Sequence, residues 1–76
     1  MKIVVEDSLK TRKAEFLPNE VNQMDQRYVY IYIPLSDERT SALWHLAKMG
    51  VCSLLHHKDD IYQVQIHTEF VELSDE

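Results

Sequence analysis

A chain of 76 residues with one glycine, one cysteine and two prolines is denied several chemistries before any element is placed. The phosphate-cradling patterns G-x-G-x-x-G and G-x-x-x-x-G-K each need at least two glycines, so nucleotide binding through either is excluded. Cys52 is the sole cysteine. No intrachain disulfide can form, and a structural zinc site built on several thiolates is ruled out. A lone cysteine fits a reducing compartment and reads as a small buried apolar residue rather than a reactive thiol. No apolar run approaches the roughly 18 residues of a membrane span. The opening MKIVVED meets acids before a signal-peptide core could develop. The expected location is cytoplasmic, with no membrane partner.

Basic residues are scarce beyond the first third. The formal charge is −5, from 8 bases and 13 acids. Lys2, Lys10, Arg12, Lys13 and Arg27 lie early, and only Arg39, Lys48 and Lys58 follow. Glu69, Glu72, Asp75 and Glu76 close the sequence. Nonspecific nucleic-acid binding needs a basic surface, so this balance argues against it and suits docking on a basic protein surface.

What the chain does have is the stretch Arg27–Pro34, RYVYIYIP. Side chains alternate across a pleated strand, which puts Tyr28, Tyr30 and Tyr32 on one face and Val29, Ile31 and Ile33 on the other. Both faces are largely apolar, the mark of a central strand. Upstream, Lys2–Glu6 is a strand centred on Ile3, Val4 and Val5, broken by Asp7-Ser8. Residues 9–17 admit a helix with a poor apolar stripe, or a strand in which Ala14 and Phe16 alternate with Lys13, Glu15 and Leu17. The alternation favours a hairpin with Lys2–Glu6. Pro18 stops it, and the polar stretch 19–26 reads as the longest loop.

Downstream, Ser36 or Asp37 is placed to cap a helix running to about Met49, with Ala42, Leu43, Leu46 and Ala47 facing a sheet. Trp44 lies about 100° from Leu43, on the flank of that stripe. Gly50 falls where a left-handed helix terminator is wanted, followed by Val51 to touch Leu46. Val51–His57 then forms a strand and residues 57–60 a turn. Ile61–Phe70 forms a second strand, with Tyr62, Val64 and Ile66 opposite Gln63, Gln65 and His67.

The expected fold is one α+β domain over residues 1–76. It is a small, predominantly antiparallel sheet of four or five strands with one helix on one face, in the order β(β)βαββ. The ordered core spans about residues 2–73, with residues 74–76 as a frayed tail.

Chemical candidates are few. His56 or His57 could approach His67 across the second hairpin, with Cys52 or Asp59 nearby, but the spacing matches no established metal pattern. Cys52 with a histidine has the makings of a nucleophile–base pair, yet no oxyanion-hole signature accompanies it. The expectation is a non-enzymatic protein without metal or cofactor. One helix covers only one face of a sheet, so the tyrosine row is left to water or a partner. Tyrosine and tryptophan dominate binding hot spots, which makes Tyr28, Tyr30, Tyr32 and Trp44 interface candidates.

Asp59, Asp60, Glu69 and Glu72 are acidic candidates that would imitate phosphates against a basic groove. The reading is a protein-interaction module, in one version an acidic inhibitor of a larger, nucleic-acid-binding host protein, of the kind mobile elements encode. The alternative is a small nucleic-acid-binding or regulatory domain using Arg27 and the tyrosine face. A thin core also suggests self-association as a homodimer.

Overall fold

Two short 3-10 turns divide the chain between two antiparallel sheets. In the computed structural model, which describes residues 1–75, strands β1 (Lys2–Glu6) and β2 (Lys13–Phe16) form a hairpin. The turn Pro18–Glu20 passes the chain to β3 (Val21–Met24) and β4 (Tyr28–Pro34) of the second sheet. Helix α1 (Thr40–Lys48) follows, then the hairpin of β5 (Cys52–Lys58) and β6 (Ile61–His67). The turn Thr68–Phe70 returns the chain to the first sheet as β7 (Val71–Ser74). The sheets run in the orders β2-β1-β7 and β3-β4-β6-β5. The class is α+β, with two sheets where the sequence suggested one.

The differences have local causes. Residues 19–26 are not a long loop: Leu17 N–H is held by the Glu20 carboxylate at 2.9 Å, and β3 pairs with β4 through a bulge between Val21 and Gln23. The strand expected over 61–70 ends at His67. There Thr68 is anchored to the β3–β4 turn, donating its N–H to Arg27 O at 2.9 Å and its hydroxyl to Gln26 O at 3.0 Å. That contact redirects the chain, and β7 pairs with β1 instead. Ser74, assigned to a frayed tail, lies opposite Lys2. Asp75 is exposed outside the strand, and Glu76 lies outside the described residues. β5 continues to Lys58, so the second hairpin turns on Asp59-Asp60 alone, with Asp59 in the left-handed region at φ 46°.

The helix starts later than its capping signal. Asp37 turns its carboxylate to Arg39, accepting from its backbone N–H at 2.8 Å, and residues 35–39 form turns before Thr40. The helix end follows the sequence reading. Gly50 sits at φ 79°, Val51 N–H reaches Leu46 O at 3.0 Å and Gly50 N–H reaches Ala47 O at 3.1 Å. Those two bonds are the Schellman pair.

The inner faces of both sheets close on α1 around one core. Ile3, Val5, Ala14 and Phe16 come from the first sheet, and Val29, Ile31, Ile33, Val64 and Ile66 from the second. Leu43 and Leu46 enter from the helix. Full burial of side chains this size stabilises by about 2 kcal/mol each.

Polar ties fix the layers around it. The Asp7 carboxylate closes the β1–β2 turn, accepting N–H groups from Leu9, Thr11 and Arg12 and the Thr11 hydroxyl at 2.6 Å. That hydroxyl has one proton, committed to Asp7. His45 Nε2, 3.2 Å from the same oxygen, must therefore be the donor, tying the turn to α1.

Arg39 forms the larger knot. Its five N–H bonds all find acceptors: Nε to Asp37 at 2.9 Å, Nη1 to Glu15 O at 3.0 Å and Glu20 at 3.1 Å, and Nη2 to Glu20 at 2.8 Å and Asp37 at 2.7 Å. The guanidinium also stacks over the Phe16 ring at 4.5 Å. One side chain joins β2, the first 3-10 turn and the entry to the helix.

Replacing Arg39 with Lys leaves three donors and no planar fork. The expected cost is about 2 kcal/mol, below that of a fully buried pair because 24 % of the Arg39 side chain remains exposed. Thermal melting of Arg39→Lys should begin roughly 10 °C lower; an unchanged melting temperature would show the knot to be incidental.

Acid should act on the same ties. Hydrogen bonding from Thr11 holds the Asp7 carboxyl down at about 2. Arg39 depresses both Glu20 and Asp37 below their ordinary range. Depressed carboxyls add stability above their unfolded-state values, and that stability is lost as pH falls through the folded ones. Melting temperature should hold between pH 7 and 5 and drop between about pH 4 and 2, with a shallower drop in Asp7→Asn, measured by circular dichroism.

Candidate functional site

Strand β4 divides its side chains completely. Val29, Ile31 and Ile33 are no more than 1 % exposed, whereas Tyr28 and Tyr30 are half-buried and Tyr32 is 37 % exposed. Register extends the division across the sheet. On the inner side Val29, Ile31 and Ile33 face Ile66, Val64 and Tyr62 of β6; on the outer side Tyr28, Tyr30 and Tyr32 face His67, Gln65 and Gln63. Ser53 and Leu55 of β5 lie beyond Gln65 and Gln63, and Gln23 of β3 lies beyond Tyr30.

The outer surface is therefore a ladder of aromatic and amide groups. Gln65 Nε2 donates to the Tyr30 hydroxyl and Gln63 Nε2 to the Tyr32 hydroxyl, each at 3.4 Å. The Tyr28 ring lies 5.0 Å from that of His67 and 6.1 Å from that of Tyr30, and Tyr32 lies 4.5 Å from His57. These strand positions carry no Asp, Glu, Lys or Arg. The ladder fixes the rings while leaving their edges and hydroxyls to solvent, an arrangement suited to recognition by contact.

The other candidates fall elsewhere. Trp44 is 42 % exposed on the helix flank, edge-on to Tyr62 at 5.7 Å. Because Tyr62 belongs to the inner face, the sheet separates Trp44 from the tyrosine row. Asp59 and Asp60 form the hairpin tip before β6, and Glu69 follows its far end. The seven residues of β6 separate the two acidic groups by roughly 20 Å. Glu69 and Glu72 come together with Glu6, Lys10, Val4 and Phe70 around an open hollow of about 340 Å³ beside the first sheet. The four acidic candidates thus form two patches, Asp59 and Asp60 at one end of β6 and Glu69 and Glu72 beyond the other.

The histidines and Cys52 do not assemble. His57 and His67 flank opposite ends of the tyrosine row, and His45 is engaged with Thr11. Among the described residues no group of three His, Cys, Asp or Glu side chains is placed to hold a metal ion. Cys52 points inward, 4 % exposed, with its thiol 3.5 Å from Leu43 O. Burial pushes its pKa up to about 11, leaving it protonated and shielded at neutral pH. Among the described residues no helix is long and apolar enough to cross a membrane.

The tyrosine row is legible in the sequence; its partners are not. Alternation alone put Gln63, Gln65 and His67 on a wet face, and joining that face to the tyrosines required the β4–β6 register. The Arg39 knot had no local signal beyond Asp37, since its other acceptors, Glu20 and Glu15 O, lie 19 and 24 residues away. No protein-family model, curated protein or solved structure matches this chain.

A thiol-specific reagent added to the native protein should label Cys52 only as fast as the core opens, and in denaturant at once. Rapid stoichiometric labelling under native conditions would contradict the buried placement.

Proposed function

We propose that this protein is a non-enzymatic docking module whose recognition surface is the tyrosine face of the four-stranded sheet, and that its partner is a larger protein. The observation that carries the proposal is the asymmetry of β4. Its aliphatic face is consumed by the core, while three ordered tyrosines, buttressed by glutamine and histidine, remain on the open side. Protein interfaces draw their energy from such rings, which bury much apolar area at small entropic cost.

The uncharged surface favours a protein over nucleic acid. A strand of phosphates needs cations alongside its stacked bases, and here the strand positions paired across the tyrosine row carry no Lys or Arg, with Arg27 at the margin of the row. Lys10, Arg12 and Lys13 belong to the β1–β2 hairpin of the other sheet. An acidic inhibitor of a nucleic-acid-binding protein is the finer form of this reading. Glu6, Glu69 and Glu72 are the acids grouped closely enough to contact a basic partner.

Two measurements separate these readings. Affinity capture from the source organism with wild-type protein and a Tyr30→Ser/Tyr32→Ser variant should return a partner that the variant loses. Each tyrosine at an interface centre contributes about 2 kcal/mol, so binding should weaken at least about 30-fold in the variant and change little with salt. Polarisation titrations against single-stranded probes at low salt should show no binding. Salt-sensitive probe binding that the variant abolishes would overturn the docking reading in favour of nucleic acid.

A further inference from the structure

Each sheet has two edge strands, and the four edges differ in how they are protected. β2 and β7 have four residues each and present charge in Lys13, Glu15 and Glu72. β3 is equally short, follows a proline-led turn and is bulged between Val21 and Gln23. Short length, charge and bulges are the devices by which natural sheets prevent pairing with another chain. β5 is seven residues long and pairs only with β6. From Cys52 to His57 it contains no formally charged residue and no proline. Its bulge falls between His56 and Lys58, so the ladder is regular from Cys52 to His56. Ser53 and residues 55–58 are exposed, and Leu55 is 45 % exposed.

We infer that β5 pairs antiparallel with β5 of a second copy, joining two four-stranded sheets into one of eight strands. Charge selects the occupant. Two copies at −5 each repel, and approach costs least where no like charges face each other. The stretch Cys52–His57 is neutral, and so is the adjoining tyrosine face. A two-fold perpendicular to the sheet keeps both outer faces on the same side. It therefore sets residues of equal parity opposite one another, and Leu55 falls beside Leu55 of the partner. Trp44 supplies apolar cover on the helix side of the same edge, since it packs on Tyr62, which pairs with His56. The two tyrosine rows then lie on one continuous surface, giving the module two equivalent docking faces.

This inference is independent of the docking partner, and its test keeps the two apart. Sedimentation velocity over a concentration series should show a dimer for the wild type. Leu55→Lys places like charges together at the two-fold and should weaken dimerisation at least about tenfold while far-UV circular dichroism stays native. Met24→Lys on the β3 edge and Tyr30→Ser/Tyr32→Ser on the open face should remain dimeric. Should Leu55→Lys fail to fold, Ser53→Lys on the same face takes its place. A wild type monomeric at every concentration, or a dimer indifferent to the β5 lysine, overturns the inference. A dimer lost with the tyrosines instead would move the interface to the open face and overturn it equally.

Discussion

The structure depends on one constraint, the register that sends Val29, Ile31 and Ile33 inward. A strand has a period of two, so a slip of one residue would exchange every aliphatic for a tyrosine. The inward set is matched by Val64 and Ile66 from β6 and capped by Leu43 and Leu46. Moving it outward would forfeit several large burials at about 2 kcal/mol each, against a net stability of about 5 kcal/mol for so small a domain. The tyrosine face is the necessary complement of that choice. Its exposure follows from the geometry of the core and from a nine-residue helix that serves the inner side only.

Polar contacts then decide how two small sheets share one core. Each crossing is made by a 3-10 turn and pinned by specific hydrogen bonds: at the first the Glu20 carboxylate accepts from Leu17 N–H and from Arg39, and at the second the backbone oxygens of Gln26 and Arg27 accept from Thr68. Arg39 has all five donors occupied and a ring beneath it, so its position is determined from several directions at once. Such ties add little net energy individually. What they supply is uniqueness, because a looser crossing would let the chain continue β6 straight into one larger sheet.

That alternative is the one the amino-acid pattern suggested, and the reason is physical. Alternation, proline, glycine and turn residues are local signals. They placed β1, β2, β4, the end of α1 and the second hairpin, and they divided the tyrosines from the aliphatics. The crossing at Thr68 depends on acceptors in residues 26 and 27, and β3 depends on pairing with β4; neither leaves a trace within a short window. The separation of Asp59 and Asp60 from Glu72 is legible, because the strand expected over residues 61–70 already lies between them. The helix start is not, for a reason related to the crossing: Asp37 has the right chemistry for a cap, but Arg39 draws its carboxylate into a tertiary network.

The division of β4 into a core face and a free face underlies both the fold and the proposed docking surface, and solution NMR with a soluble nitroxide reads it directly. The ring signals of Tyr28, Tyr30 and Tyr32 in the free protein should broaden strongly, while the methyl signals of Val29, Ile31 and Ile33 stay sharp. Shielded tyrosine rings beside broadened Val29 and Ile31 methyls would contradict the register and remove the surface on which the functional reading stands.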